Sequence, residues 1–506
     1  MQAPFRSQVV GIVGAGLMGR GIAQVAAQAG SEVRLLDAKP GAAADAKRAI
    51  ADTLSSLAAK GKIAPASAQD AVARIVLPSS LADLAGCSIV IEAIVERLDA
   101  KQSLFASLEP IVGDACILAT NTSSLSVTAI ASACVHPERA AGLHFFSPVP
   151  LMKVVEVIAG LRSAPDVMSR LLDFAAALGH TPVRAKDTPG FIVNHAGRGY
   201  GTEALRIAGE GIADYATIDR ILKLAAGFRM GPFELLDLTG LDVSHPAMES
   251  IYHQFYEEPR FRPSPLTAQR LAAGVLGRKT GRGFYDYPAA RQPATEAPPT
   301  TAQPAALVWV SARRAEAQAH VAERVRALGA KLDAGATPHP DALCVVLPLG
   351  CDATSAALDE ELDPTRTVAL DTLLDITRHR TLMTTPLTDP ARREAARALF
   401  SGDGASVDVI HDSPAFVVQR VLAHIVNIAC DIAQQRIASP ADIDLAVRLG
   451  LAYPQGPLAW GDALGPLRVL HILQELARAY GDPRYRPSIW LARRARLGIS
   501  LLTTEA

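Results

Sequence analysis

The chain has 506 residues, with 50 Lys and Arg against 51 Asp and Glu and a formal net charge of −1. This balance excludes the basic stripe of a nucleic-acid binder and the polybasic patch of a membrane-surface protein. No apolar run reaches the length of a membrane span, and the length allows three or four domains with cores of their own. The first apolar run starts within about eight residues of the N-terminus, too early for a signal peptide. Cysteines 87, 116, 134, 344, 351 and 430 form no Cys-x-x-Cys pair and have no histidines at zinc spacing. Neither a metal site nor a disulfide framework is expected, and a reducing cytoplasmic setting is.

Residues 9–13 are an apolar run of strand length. Gly14, Gly16 and Gly19 follow in the spacing Gly-x-Gly-x-x-Gly, then a helical pattern of small residues to Ala29. A second apolar strand, 33–36, ends on Asp37. Strand, glycine turn, helix, strand and acid is the context of a dinucleotide fingerprint. Gly14 permits the turn, Gly16 lets backbone approach a pyrophosphate, and Gly19 lets helix pack on strand. Leu17 and Met18 open the helix whose free N–H groups face the phosphates. Asp37, 18 positions past Gly19, can accept both ribose hydroxyls and repels a 2′-phosphate, so the expected cofactor is NAD rather than NADP. A glycine turn without a ligand is the alternative that this context disfavours.

A helical stretch then runs to about Lys60. Buried strands are expected at 89–91, 116–119, 141–146 and 153–158, completing a doubly wound sheet. Three polar segments fall where such sheets carry their sites. Asn121-Thr122-Ser123-Ser124 follows a strand and offers hydroxyls and an amide to a substrate oxygen; taken alone, a helix-capping loop is the simpler reading. His144 and Glu156 lie symmetrically about a Pro150 turn. If the chain reverses there, a carboxylate meets an imidazole, fixes its tautomer and leaves the other nitrogen to take a proton. A lone core histidine is the competing reading, and the glutamate weighs against it. Asn194 enters the next domain on the first turn of a helix and could reach into an interdomain cleft, or be an ordinary polar helix residue.

From Pro189 to about 273 the texture is helical, and 277–287 is a glycine-broken tail. Residues 288–304, rich in Pro, Ala and Thr, read as a linker. Short strands are expected at 307–310, 344–349 and 368–370, then helices from 413. The second half echoes the first: Asp187-Thr-Pro-Gly-Phe-Ile-Val matches Asp412-Ser-Pro-Ala-Phe-Val-Val at an offset of 225, without a gap to Gly240 and Gly465. This reads as duplication. The copy has no glycine triple after 308–311. Matching Thr385-Pro386 to Ser147-Pro148 puts Leu382 opposite His144, and Gln419 stands opposite Asn194. The expected fold is an α/β Rossmann-type dinucleotide-binding domain (1–187) plus an all-α C-terminal domain (188–287). After the linker comes a degenerate partial repeat, a small α/β segment (305–411) and a second all-α domain (412–506).

Taken in order, GAGLMGRGIA, AIVER with Lys101, NTSSL, GLHFFSPVPLMKVVEV, DTPGFIVN, GPFELLDLTGLD and GRKTGRGFYDY closely resemble the (S)-3-hydroxyacyl-CoA dehydrogenase family over residues 8–287. The remainder resembles the forms of that family with a duplicated C-terminal domain. The resemblance implies an NAD-dependent oxidoreductase acting on an acyl-CoA thioester. It implies His144 as general base, Glu156 as its partner, and Ser123 and Asn194 as ligands of the substrate's 3-oxygen. It also implies Glu96, Lys101 and Asn121 on the cofactor side and Lys60 near the CoA phosphates, although a surface lysine explains Lys60 alone. The family usually has Asn where this chain has Ser147. The two helical domains are expected to pack as an intrachain pseudo-dimer, with a homo-oligomer also open. A non-catalytic NAD(H)-binding protein and a free 3-hydroxy-acid dehydrogenase are the alternatives.

Overall fold

A computed structural model of the chain describes residues 8–287 and 300–505, so most of the expected linker lies outside the described residues. Two compact units are present. The first holds the residues up to His195 together with Gln435–Leu451, the second Ala196–Gln434 together with the residues from Ala452.

The first unit is built on eight strands: β1 (Val9–Val13), β2 (Glu32–Leu36), β3 (Ile75–Val76), β4 (Ile89–Glu92), β5 (Ile117–Thr120), β6 (Ala140–Phe145), β7 (Val154–Ala159) and β8 (Thr181–Lys186). Their order is β3-β2-β1-β4-β5-β6-β7-β8. All pairs are parallel except β6 with β7. β4, β5 and β6 are buried at every position, as expected of strands with both faces covered. The helix Leu17–Gln28 packs its apolar stripe on one face, where Ile22, Val25 and Ala26 join Val10, Ile12 and Leu35 in the core.

The second unit contains six strands: β9 (Leu307–Val310), β10 (Lys331–Asp333), β11 (Leu343–Val346), β12 (Thr367–Leu370), β13 (His379–Thr384) and β14 (Ser406–Ile410). Their order is β10-β9-β11-β12-β13-β14, and only β12 with β13 is antiparallel. The helices of 196–287 and 412–434 and those after 452 belong to this unit. Aspartates knit its turns. Asp219 accepts from the N–H groups of Phe233 and Glu234, and a Cβ on Gly231 would lie 2.1 Å from its carboxyl carbon. Asp237 accepts from Phe284 N, Tyr285 N and the Tyr287 hydroxyl, which anchors the glycine-broken tail.

Strands β3, β8, β10, β13 and β14 are not among the elements read from the sequence. β3, with two residues, and β10, with three, are too short to show a period, while β8 opens Thr-Pro and β13 opens with three consecutive polar residues, His379, Arg380 and Thr381. Glu156 on β7 pairs with Val183 on β8, and Thr381 on β13 pairs with Asp408 on β14. Asp371 N–H donates to the Thr381 carbonyl at 3.0 Å. Leu382 on β13 pairs with Leu370 of β12 and Val409 of β14, and Thr385-Pro386 follows β13. The stretch 435–451, expected within the last helical domain, lies with the first unit. Its helix Pro440–Leu451 packs on β7 and β8, and Lys186 N–H donates to Ile437 O at 2.9 Å.

Candidate active site

The glycine turn joins β1 to its helix. Gly14 has φ 104°, a left-handed conformation, and a Cβ there would lie 2.4 Å from Ala93 O. A Cβ on Gly19 would lie 1.8 Å from Gly14 O, so only glycine lets the helix start this close to the strand. Gly16 is exposed and no atom lies within 4 Å of where its Cβ would be, which leaves a cradle open in front of the helix N-terminus. Leu17 beside it is exposed and Met18 half-buried. Asp37 ends β2 with Oδ2 accepting from Ala15 N–H at 2.7 Å and Oδ1 from Lys39 N–H at 2.8 Å. Each oxygen keeps a lone pair that a ribose hydroxyl can use. Cradle, N-terminal N–H groups and carboxylate together fit NAD. We expect Asp37→Ala to lower kcat/KM for NAD+ by about tenfold or more through loss of charge-assisted hydrogen bonds, while use of NADP+ rises. Kinetics with the two cofactors check this.

β6 and β7 bring His144 opposite Glu156 in register. His144 Nδ1 lies 2.6 Å from Glu156 Oε2. The other oxygen, Oε1, accepts from the N–H groups of Ile192 and Val193, both at 2.9 Å. Those two amides converge because Gly190 and Phe191 take successive left-handed conformations, φ 74° and 48°. A bulky residue in that region is strained, and the buried Phe191 ring packs 5.9 Å from the His144 ring. Glu156 is fully buried. Its carboxylate is thus held at both oxygens, and the imidazole is fixed with Nδ1 inward and Nε2 available for a substrate proton.

The 121–124 loop is organised from beneath by Glu96. Its Oε1 accepts from Thr122 Oγ1 at 2.7 Å, Ser123 N–H at 2.9 Å, Ser124 N–H at 3.1 Å and Ser124 Oγ at 2.9 Å. Burial raises the Glu96 pKa, but Lys101 and these donors outweigh it and hold the carboxyl below its ordinary range. Lys101 is 1% exposed, with its ammonium 2.5 Å from Glu92 and 3.2 Å from Glu96. It pairs with both carboxylates beneath the loop. Asn121 Oδ1 accepts from Phe145 N–H at 2.8 Å, pinning the loop beside His144. Ser123 remains exposed, and Asn194 Nδ2 lies 3.5 Å from the Ser123 carbonyl. His144, Glu156, Ser123, Asn194, Glu96 and Asn121 are therefore gathered at the ends of β5, β6 and β7. Lys60 is exposed at the end of the helix Ala42–Ala59, and no described contact joins it to this group. Sequence reasoning missed the amides of Ile192 and Val193, because backbone donors leave no residue-type signal. Among the described residues no cluster could hold a metal ion.

A doubly wound sheet with an NAD cradle and a carboxylate-held histidine is the arrangement of an NAD-dependent dehydrogenase. Comparison narrows the class. The model described as "3-hydroxyacyl-CoA dehydrogenase, NAD binding domain" matches residues 9–188, and "3-hydroxyacyl-CoA dehydrogenase, C-terminal domain" matches 190–287 and again 416–500. The chain is 37% identical to a 3-hydroxyadipyl-CoA dehydrogenase of Escherichia coli (strain K12) over 97% of this chain and 98% of that one. It superposes on a crystal structure of 3-hydroxybutyryl-CoA dehydrogenase from Escherichia coli K12 with a TM-score of 0.87 at 36% identity, covering 97% and 98%. An (S)-3-hydroxybutyryl-CoA dehydrogenase from Ralstonia eutropha matches 56% of this chain and 99% of its own at 40% identity, with a TM-score of 0.54. The chain belongs to the 3-hydroxyacyl-CoA dehydrogenase family.

Proposed function

We infer that this chain catalyses the NAD+-dependent oxidation of (S)-3-hydroxyacyl-CoA to 3-oxoacyl-CoA, in fatty-acid or phenylacetate breakdown. The observation that carries the reading is Glu156, bound by two backbone amides on one oxygen and by His144 Nδ1 on the other. NAD+ supplies the hydride acceptor when bound. His144 Nε2 takes the proton of the 3-hydroxyl, and Glu156 stabilises the imidazolium that forms. Ser123 and Asn194 donate to the 3-oxygen as it becomes a carbonyl oxygen. Glu96, anchored by Lys101, keeps Ser123 in place. Gly14, Gly16, Leu17, Met18, Gly19 and Asp37 hold the cofactor, and Lys60 is proposed as a contact of the CoA phosphates.

The names of the full-length relatives support a short acyl chain ending in methyl or carboxylate. Kinetics with 3-oxoacyl-CoAs of different length and terminal charge, and with free 3-hydroxybutyrate, test this. We expect turnover of the thioesters and none of the free acid. Turnover of the free acid at a comparable rate contradicts the CoA reading, and cofactor binding with no turnover of any thioester contradicts the enzyme reading.

We read the remainder of the chain as a degenerate repeat, a small α/β segment (305–411) followed by a second all-α domain (412–506). Three parallels support duplication. The C-terminal model matches twice. Asp187 caps the helix Val127–Ala131 as Asp412 caps Ala353–Asp359. Lys186 N–H reaches Ile437 O, as His411 N–H reaches Ile212 O, both at 2.9 Å. In the copy, Gln419 bonds Asp371 Oδ1 and accepts from Gly350 N–H, both at 2.9 Å; we read it as a structural half. Buried pairing of Arg420 with Glu203 supports an intrachain pseudo-dimer of the helical domains. We place the chain in the cytoplasm; burial pushes the Cys87 thiol up to about 11 and Cys116 to about 12, which leaves both inert. Among the described residues no helix is long and apolar enough to cross a membrane.

A further inference from the structure

We propose that Gly450, on the helix Pro440–Leu451 contributed by the far end of the chain, is a positioning residue for the His144–Glu156 pair; this rests on the catalytic reading of that pair. A Cβ on Gly450 would lie 2.9 and 3.0 Å from the two γ-carbons of Val193 and 3.4 Å from Val154 Cγ1. Val193 donates one of the two N–H bonds that hold Glu156 Oε1. Val154 lies on β7 two residues before Glu156. Gly450 thus touches both the segment that clamps the carboxylate and the strand that carries it.

Backbone conformation does not call for glycine here. Its φ is not positive, and the left-handed residue ending this helix is Ala452, φ 54°. Its counterpart at the offset of 225 is Ala225. Glycine within a helix costs about 1 kcal/mol against alanine, and here that cost secures close approach. Val193 cannot relieve a clash by rotation, because a β-branched side chain is stiff at χ1, and it is buried. A methyl or isopropyl group at 450 therefore pushes the 192–193 amides away from Glu156 and tilts the carboxylate that orients His144.

The test uses the full chain with Gly450→Ala, Gly450→Val and the double variant Gly450→Ala/Val193→Ala, which removes the γ-carbons that would be struck. Exposed Arg448 on the same helix serves as control through Arg448→Ala. We expect Gly450→Val to lower kcat by about tenfold or more, the scale of a sub-ångström misplacement at a reacting group, and Gly450→Ala by a smaller factor. NADH affinity should stay within about twofold, Val193→Ala should restore kcat to Gly450→Ala, and Arg448→Ala should match the parent. Should Gly450→Val fail to fold, the Gly450→Ala pair with its rescue carries the test. Wild-type kcat in a folded Gly450→Val or in Gly450→Ala overturns the proposal. So does a loss that follows NADH affinity or that Val193→Ala leaves unchanged. Activity retained by His144→Ala is a different result, which overturns the assignment of the pair itself.

Discussion

Replacing His144 by alanine is expected to lower kcat for 3-hydroxyacyl-CoA oxidation by about 10³-fold, the usual worth of a positioned general base, with NADH affinity unchanged. The asymmetry follows from where the residue sits. His144 lies at the end of β6 and engages Glu156 across to β7. The cofactor cradle is built at β1 and β2 from Gly14, Gly16 and Asp37. Glu156→Gln should lower kcat less, by about 10²-fold. The amide gives no charge to balance the imidazolium, and its single oxygen cannot accept both from Nδ1–H and from the Ile192 and Val193 N–H groups. Steady-state kinetics and NADH titration on the two variants check both statements.

The second large effect is on stability. Arg420 is fully buried and donates to Glu203, Glu210, Ser413 and the Tyr480 and Tyr485 hydroxyls. Glu203 is also fully buried, and Arg484 lies 3.2 Å from its other oxygen. Removing one member leaves the rest charged and desolvated, so Arg420→Met should destabilise the second unit by about 3–5 kcal/mol, read as a fall in the denaturant midpoint. The same network sets an acid limb. Burial raises the Glu203 pKa, but Arg420 and Arg484 outweigh it and bring it from 4.5 down to about 2. A carboxyl lowered on folding stabilises fully above its unfolded value and loses that contribution as pH falls through the folded one. Tm should therefore drop between about pH 4.5 and pH 2, and Glu203→Gln, destabilised at neutral pH, should show a flatter decline across that window.

What the sequence disclosed was local. The glycine spacing and Asp37 fall within one strand–helix–strand unit, and the structure puts them in one cradle. His144 and Glu156 were legible because a hairpin about Pro150 maps sequence symmetry onto cross-strand pairing. Interactions spanning long separations were not. Nothing near Lys101 says whether its ammonium points outward or under the loop; burial against Glu92 decides it. The amides clamping Glu156 lie 36 and 37 residues away and carry no residue signature. Gly450 meets Val193 across more than half the chain. Leu382 pairs with Leu370 and Val409, partners that a short Thr-Pro match cannot disclose.

The most direct measurement is a single turnover by His144→Ala. Protein in excess with NAD+ is mixed with (S)-3-hydroxybutyryl-CoA, and NADH absorbance is followed. The parent chain should form NADH in amounts matching the substrate, and the variant, saturated with NAD+, should form it about a thousandfold more slowly. NADH formation by the variant at the parent's rate contradicts the assignment of His144 as the proton acceptor.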